Sequence, residues 1–310
     1  VTPLRIGTRG SSLALAQAHW VKAQIEARHR GAEVELVVIK TSGDRFVDAA
    51  LQAIGGKGVF TKEIEEALLR NEIDLAVHSM KDLPTDLALG LCVAAVPRRE
   101  DPRDVLVSRD SLPLERLPAG ARIGTGSLRR RAQLLRFRPD LTVAPIRGNI
   151  DTRLRKLDGG EVDALVMAAA GLKRIGRQER ITEFVAEHIC VSAVAQGALA
   201  LESRINSLRR DDIAFLHDAV TFAEVTAERS LLRRLGGGCH VPVGARASVA
   251  EDRLRMTAVV ADPDGDSLYR GEISGAADMA ERLGRDLAER LLRQGADRIL
   301  ATHSTENDHA

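Results

Sequence analysis

The tetrapeptide Arg-Ile-Gly-Thr occurs twice, at residues 5–8 and 122–125, and each copy opens a longer shared phrase. Ser12-Leu13 with Ala16-Gln17 follows the first copy, and Ser127-Leu128 with Ala132-Gln133 follows the second. Each phrase reads as a short strand, a glycine turn and a helix start. A second landmark repeats in the same order: Asn71-Glu72-Ile73-Asp74-Leu75-Ala76-Val77 is echoed by Gly160-Glu161-Val162-Asp163-Ala164-Leu165-Val166. Two matched landmarks in one order constrain the chain to two domains of similar topology.

The pattern between the landmarks alternates strand and helix. LRIGT reads as a strand, and Ser11 or Ser12 caps a helix running to about Arg28, with Leu13, Ala16, Trp20, Ala23 and Ala27 at helical spacing. EVELVVIK (33–40) is a strand and TKEIEEALLRNE (61–72) a helix. IDLAVHS (73–79) and LCVAAV (91–96) are continuous apolar runs of the kind buried in parallel sheets. From about residue 104 the pattern restarts: ARIGTGS is strand and turn, SLRRRAQLLRFR helix, LTVAPI strand, NIDTRLRKLDGG helix, and VDALVMAAAGL buried strand. Such βαβ alternation predicts doubly wound α/β domains. From about 218 a helix, AVTFAEVTAERSLLRRL, leads into a glycine–cysteine loop. RLRMTAVVADPDGDSLYRGEI reads as a hairpin about Pro-Asp-Gly, and AADMAERLGRDLAERLLRQGA as an amphipathic closing helix. The expected domains are 1–98 with about 195–215, 99–194, and an α+β third domain over 216–303, with a disordered polar tail at 304–310.

Charged residues make up 29% of the 310 and hydrophobic ones 44%, the profile of a soluble globular protein. No apolar run approaches the roughly 20 residues of a membrane span, and VTPLRIGTRG lacks an apolar signal core, so a cytoplasmic location is expected. A net charge of +1 argues against a general nucleic-acid binder. Only seven of the 45 basic residues are lysine; 38 are arginine. Arginine binds carboxylate or phosphate through a planar fork and stays charged when partly buried. GC-rich codon usage accounts for the bulk count equally well, so position must carry the inference.

The two landmark copies diverge where chemistry would sit. The first ends His78-Ser79-Met80-Lys81-Asp82-Leu83 and the second Met167-Ala168-Ala169-Ala170-Gly171-Leu172. Lys81 and Asp82 thus lie just beyond a strand's carboxyl end, where open α/β sheets bind ligands; the bland alternative is a surface ion pair. Arg129 and Arg130 occupy the first turn of a helix, where a cation is disfavoured by roughly 0.3–1 kcal/mol. An anion held by the Gly124-Thr125-Gly126-Ser127 turn would reverse that sign. Arg9 holds a comparable place after the first copy. Arg147 lies at another strand end, with Arg153 one or two helical turns later. A solvated basic face suffices for Arg131, Arg136 and Arg138. GGKG (55–58) lacks phosphate-loop spacing, and His78 and His240 show no metal-ligand spacing. Three cysteines are too few for a disulfide framework. Cys92 and Cys190 sit in apolar runs and read as small buried hydrophobes; Cys239 follows three glycines in an exposed loop and reads as functional.

Ten stretches together resemble the porphobilinogen deaminase (hydroxymethylbilane synthase) family: RIGTRGSSLALAQ, GGKGVFTKEIEEALL, DLAVHSMKDLP, REDPRDVLVS, IGTGSLRRRAQL, IRGNIDTRL, AGLKR, AQGALALE, TAERSLLRRL and GGGCHVPVGA. They run from residue 5 to about 245. The resemblance implies a fold of two similar doubly wound α/β domains, periplasmic-binding-protein-like, flanking a cleft, with a smaller α+β C-terminal domain. It implies an enzyme that joins four porphobilinogen units head to tail, releasing ammonia each time and then the linear hydroxymethylbilane. The primer would be a dipyrromethane cofactor held by a thioether to Cys239. Asp82 matches the family's catalytic aspartate, set to stabilise the azafulvene and pyrrole cations. Lys81, Ser11, Thr125, Ser127, Arg129 and Arg130 match cofactor-binding positions; Arg9, Arg147, Arg153 and Arg174 match positions that bind the carboxylates of the growing chain. No metal is implied.

Three positions depart from the family pattern. Gly126 stands for a frequent serine, Ala195 for a glycine, and His240 for a glutamine; Ala195 matters only if that residue needs a positive φ. A monomer is expected, with porphobilinogen as the small-molecule substrate, transient handover to the next pathway enzyme, and neither nucleic acid nor membrane as partner. The rival reading is a non-catalytic two-domain protein that binds a polycarboxylate; it predicts no covalent adduct and gives Asp82 and Cys239 no special role.

Overall fold

The computed structural model describes residues 3–45, 60–236 and 242–305. The first elements are β1 (Leu4–Thr8), α1 (Ser12–Arg28), β2 (Val34–Val38), the short α2 (Ser42–Arg45), α3 (Lys62–Leu69), β3 (Leu75–Ser79) and β4 (Leu91–Ala95). Next come β5 (Asp104–Ser108), β6 (Arg122–Gly124), α4 (Leu128–Phe137), β7 (Thr142–Ala144), α5 (Ile150–Asp158), β8 (Ala164–Ala168), α6 (Ala169–Arg174), β9 (Glu183–Phe184) and β10 (Leu199–Arg204). The last are α7 (Ala219–Arg234), β11 (Val243–Ala250), β12 (Arg253–Ala261), β13 (Leu268–Ala276), α8 (Ala280–Leu291) and α9 (Asp297–Thr305). The chain divides into two compact units, Val1–Glu100 with Ala198–Phe222, and Asp101–Gly197 with Ala223–Ala310.

Each unit carries a five-stranded sheet of the same design, ordered β2-β1-β3-β10-β4 in the first and β7-β6-β8-β5-β9 in the second. In both, three strands are parallel and the fourth runs antiparallel to its neighbours. LCVAAV is therefore not a parallel strand but an edge strand, β4, antiparallel to β10. A continuous apolar run signals burial on both faces and carries no signal of direction.

The doubled Arg-Ile-Gly-Thr is built into this design twice. Ile6 pairs with Leu75 and Gly7 with Ala76; Ile123 pairs with Ala164 and Gly124 with Leu165. The Arg5 N–H donates to Asp74 Oδ2 at 2.9 Å and the Arg122 N–H to Asp163 Oδ2 at 2.8 Å. The two sequence landmarks are thus the two halves of one strand junction. Its glycine is fixed by packing: a Cβ on Gly7 would lie 2.3 Å from Ile73 Cδ1, and one on Gly124 2.8 Å from Leu165 Cδ2.

Period-two alternation distributes the strands between two cores per sheet. In the first unit Leu4, Ile6, Leu75 and Val77 pack with α1, while Ala76 packs with Ile64, Ala67 and Leu68 of α3. In the second, Ile123, Ala164 and Val166 pack with α4, and Leu165 and Met167 with α5. Ser11 caps α1 by accepting from Ala14 N–H. The α1 stripe differs from expectation: Ala14, Gln17, Ala18, Val21 and Ile25 are buried and Trp20 is 44% exposed. Small residues lie on several sides of this helix, so spacing alone offered two stripes. VDALVMAAAGL also splits, ending as strand at Ala168 and continuing as α6.

After α7, β11, β12 and β13 form an antiparallel sheet in that order, with the hairpin between β12 and β13 where expected. β11 was not anticipated. Leu283 and Leu287 of α8 rest directly on Gly275 and Gly271 of β13. Helix α9 continues to Thr305, into the segment expected to be disordered; residues 306–310 lie outside the described residues, as do Gly55–Gly58, Cys239 and His240.

Candidate active site

In the first unit the expected site residues gather at the carboxyl ends of β1 and β3. Ser11 caps α1 just after β1, and Arg9 stacks on Phe60, its Cζ 4.1 Å from the ring centroid. β3 leaves the sheet through a single helical turn, Met80–Asp82, which places Lys81 half-buried and Asp82 exposed. Pro84 disfavours helical backbone at Leu83, which is extended, and so ends the turn there. Met80 N–H donates to Ala198 O at 3.0 Å, and Gln17 Nε2 donates to Ser79 Oγ at 2.8 Å. The Asp82 carboxylate therefore stands on a turn anchored from α1 and from Ala198, just before β10.

In the second unit the same edge is crowded with arginine. Thr125 follows β6, and Ser127 caps α4 by accepting from Arg130 N–H. Arg147 follows β7 and is exposed; Asn149 caps α5 at Thr152 N–H. Arg174 ends α6 and donates to Gly197 O at 2.7 Å. Arg129 and Arg130, 5% and 6% exposed, both bind Asp104, which is wholly buried. Arg129 Nη1 donates to Asp104 Oδ2 at 2.6 Å and to Val191 O at 2.7 Å. Arg130 donates to Asp104 Oδ1 from Nε at 3.0 Å and Nη2 at 2.7 Å, and to Val166 O from Nη1 at 3.0 Å.

Burial pushes the Asp104 carboxyl up, but the charges of Arg129 and Arg130 outweigh it and hold it well below the usual carboxylate range. The sequence reading anticipated an anion at these arginines and missed that the protein supplies one of its own. The available signal was an aspartate opening the otherwise apolar strand DVLVS. One carboxylate does not neutralise the group. Arg153 adds a third guanidinium; burial and then the charge of Arg130 lower it to about 10. Its Nε donates to Gly148 O at 2.9 Å, and among the described residues no carboxylate is paired with it. Two guanidiniums on one carboxylate, with a third influenced by Arg130, leave a net positive charge at the start of α4, where an anion would be favoured.

Other polar groups fix this centre. Gln196 Nε2 donates to Asp104 Oδ1 at 3.0 Å and to Pro102 O at 2.7 Å. Gln133, the echo of Gln17, exchanges hydrogen bonds with both backbone groups of Val191. Cys190 is no bystander, because its Sγ donates to Asp104 Oδ2 at 3.4 Å. Burial and the Asp104 charge push its thiol up to about 12, so it is inert as a nucleophile. Cys92 is half-buried rather than buried. Ala195 has φ +57° and is wholly buried, its N–H donating to Glu228 Oε2 at 2.6 Å. The position does require the left-handed conformation that glycine usually supplies. Among the described residues no cluster of acidic, histidine or cysteine side chains could hold a metal, and no helix is long and apolar enough to cross a membrane.

Fold and site define an α/β protein that gathers arginines at the strand ends and helix starts of its second sheet. Residues 4–211 match the family described as porphobilinogen deaminase, dipyromethane cofactor binding domain, and residues 222–293 match the porphobilinogen deaminase C-terminal domain. Porphobilinogen deaminase of Desulforudis audaxviator is 55% identical over 297 residues, covering 96% of each chain. Those of Syntrophotalea carbinolica and Pelobacter propionicus are 54% and 51% identical, covering 91% of this chain and 90% and 91% of theirs. Among solved structures, an amino-acid ABC transporter extracellular-binding protein of Bacillus subtilis is 12% identical with a TM-score of 0.41, covering 70% of this chain and 90% of that one. The chain belongs to the porphobilinogen deaminase family.

Proposed function

We propose that this enzyme condenses four porphobilinogen molecules head to tail into linear hydroxymethylbilane on a dipyrromethane primer held by a thioether to Cys239. The observation that carries the reading is the excess positive charge where Arg129 and Arg130 share the single carboxylate of Asp104 and Arg153 feels the charge of Arg130. Every porphobilinogen ring bears an acetate and a propionate, so both primer and product are strings of carboxylates that such a centre suits. The residues present therefore fit the cofactor. When bound it would supply a pyrrole with a free α-carbon as the nucleophile.

Each condensation forms one carbon–carbon bond and breaks the aminomethyl carbon–nitrogen bond; the displaced α-hydrogen and the amino group leave together as ammonia. Arg129 and Arg130, already ordered by Asp104, bind cofactor carboxylates with Lys81, Ser11, Thr125 and Ser127. Arg9, Arg147, Arg153 and Arg174 bind carboxylates of the growing chain. The exposed Asp82 carboxylate stabilises the positive charge that develops as ammonia departs, and accepts and returns protons. Intact-protein mass tests the reading. The expected species is heavier than the sequence by two linked pyrrole units and reverts to the sequence mass in Cys239→Ala; an unmodified, fully active protein overturns the cofactor assignment.

A further inference from the structure

Two ionisable side chains meet on the α3 side of the first sheet, within electrostatic reach of a third on α3. His78 Nε2 on β3 lies 2.9 Å from Glu202 Oε2 on β10, and the two residues are 5% and 0% exposed. The register pairs His78 with Ala200 and Ala76 with Glu202, so His78 and Glu202 are diagonal neighbours on one face. Val77, Leu199 and Leu201 belong to the opposite, α1-side core. Toward His78 and Glu202 helix α3 presents Glu65. Its carboxyl is raised by burial first and then by the charge of Glu202, against a hydrogen bond from Thr61 and the influence of His78.

The second unit shows what the fold itself requires here. The alignment of Asn71 with Gly160 puts Glu65 at Leu154 and His78 at Met167. The matched strand registers put Glu202 at Val107. All three counterparts are buried apolar residues of one core. The topology is satisfied without charge, so the trio in the first unit is not a demand of the fold.

Among the described residues two oxygens of the trio lack a donor: Glu65 Oε1 and Glu202 Oε1 are buried with no hydrogen-bond partner. An ionised carboxylate only accepts, so two of them cannot satisfy one another. A single proton on one makes both whole. We propose that Glu65 and Glu202 share one proton, Glu65 Oε1–H donating to Glu202 Oε1, and that with His78 they are positioning residues for the Lys81–Asp82 turn. Glu202 then accepts from Glu65 on one side and from His78 Nε2–H on the other. His78 is thereby fixed one residue before Ser79, completing on the α3 side the hold that α1 and Ala198 exert on this turn. The positioning role rests on Asp82 being the reactive carboxylate; the shared proton does not.

From β10, Arg204 is engaged with Asp74 at 3.6 Å and with the carbonyl oxygen of Ile73 at 2.8 Å. α1 contributes the uncharged Gln17, and the one titratable side chain of β4 is Cys92. The test compares Glu65→Gln, Glu65→Leu and Glu202→Leu in the cofactor-loaded full chain. A carboxyl raised in the folded state contributes stability that is present below its unfolded value and is lost as the pH rises. Glu65→Gln, a permanent donor, should keep kcat and Tm at neutral pH and flatten the decline of Tm with rising pH. Glu65→Leu, which copies the second unit but strands Glu202, should lower Tm. Glu202→Leu, which leaves His78 without its acceptor, should lower kcat about tenfold or more with little change in KM.

Isotope-edited infrared spectroscopy should show a protonated carboxyl at neutral pH that disappears in Glu65→Gln. Absence of that band, or a Glu65→Gln as damaged as Glu65→Leu, overturns the shared proton. A band with unchanged kcat in Glu202→Leu overturns the positioning role. Failure of the proposed reaction itself would show separately, as absent turnover in the wild-type protein.

Discussion

Arg130 grips Asp104 through one carboxylate oxygen, Nε at 3.0 Å and Nη2 at 2.7 Å to Oδ1, leaving Oδ2 to Arg129 at 2.6 Å. One buried acid thus orders two guanidiniums before any ligand arrives. Gln196 ties the same Oδ1 to the backbone at Pro102, so the centre is rigid on three sides. An incoming carboxylate meets cations whose rotamers are already fixed, and little further ordering entropy is lost on binding.

Asp104→Asn removes the charge but keeps the shape, and should cost about 3–5 kcal/mol by leaving two buried guanidiniums without a counter-charge. Urea denaturation measures this. The pH dependence has a definite sign. Asp104 is depressed in the folded state, so its stabilisation holds above the ordinary carboxylate range and is lost as the pH falls. Asp101, lowered to about 2 beside Arg103 despite its burial, acts in the same direction. Wild-type stability should therefore decline below about pH 4, and less steeply in Asp104→Asn. Identical acid slopes would remove Asp104 from the stability account.

Asp82→Asn should behave in the opposite way. Asp82 is exposed on its turn, so stability should change by less than about 0.5 kcal/mol. Turnover should fall by roughly 10²–10⁴. Quenched single-turnover assays that follow ammonia release check this; near-normal product formation excludes Asp82 from the chemistry.

Ala195 stores strain at φ +57°, about 1–2 kcal/mol for a residue with a Cβ. Ala195→Gly relieves it, but loses a buried methyl worth about 0.8 kcal/mol and gains unfolded-state entropy worth roughly 0.4–1 kcal/mol. The terms nearly cancel, and the net change should stay within about 1 kcal/mol. Ala195→Val adds a β-branch where none fits and should destabilise by more than about 2 kcal/mol. Thermal denaturation of the two variants decides; equal effects would locate the constraint elsewhere than φ.

What the sequence reveals and what it hides divide along range. That each arginine N–H donates to the aspartate of the other landmark was not legible. The landmarks that carry Arg5, Asp74, Arg122 and Asp163 were, because they are local and repeated. The ends of β1, β3, β6 and β7 could be placed for the same reason, and with them Arg9, Asp82, Thr125 and Arg147. β5 and β10 were not legible as antiparallel, since an apolar run is the same read in either direction. Asp104 was hidden because its partners lie 25 and 26 residues away and the helix start that carries them suggests an external anion. His78 and Glu202 are 124 residues apart, and no periodicity connects them. The α1 stripe was misplaced where small side chains made the helix nearly uniform.

Arg153 separates binding from stability. Burial, then the charge of Arg130, lower its guanidinium to about 10, so its positive charge is a liability to the folded chain without ligand. A depressed folded value means stability rises toward high pH and is lost as the pH falls through it, so near neutrality the full penalty is present. Arg153→Gln keeps a donor for Gly148 O and removes the charge. In a Cys239→Ala background, which cannot anchor the cofactor, it should stabilise the fold by about 1–3 kcal/mol. In the cofactor-loaded enzyme the same change should weaken binding of the tetrapyrrole carboxylates. Complexes with added porphobilinogen units, seen by native mass spectrometry, should then accumulate less at the lengths that depend on Arg153. A destabilised Cys239→Ala/Arg153→Gln protein would mean that an internal anion, not a ligand, is the natural partner of this arginine.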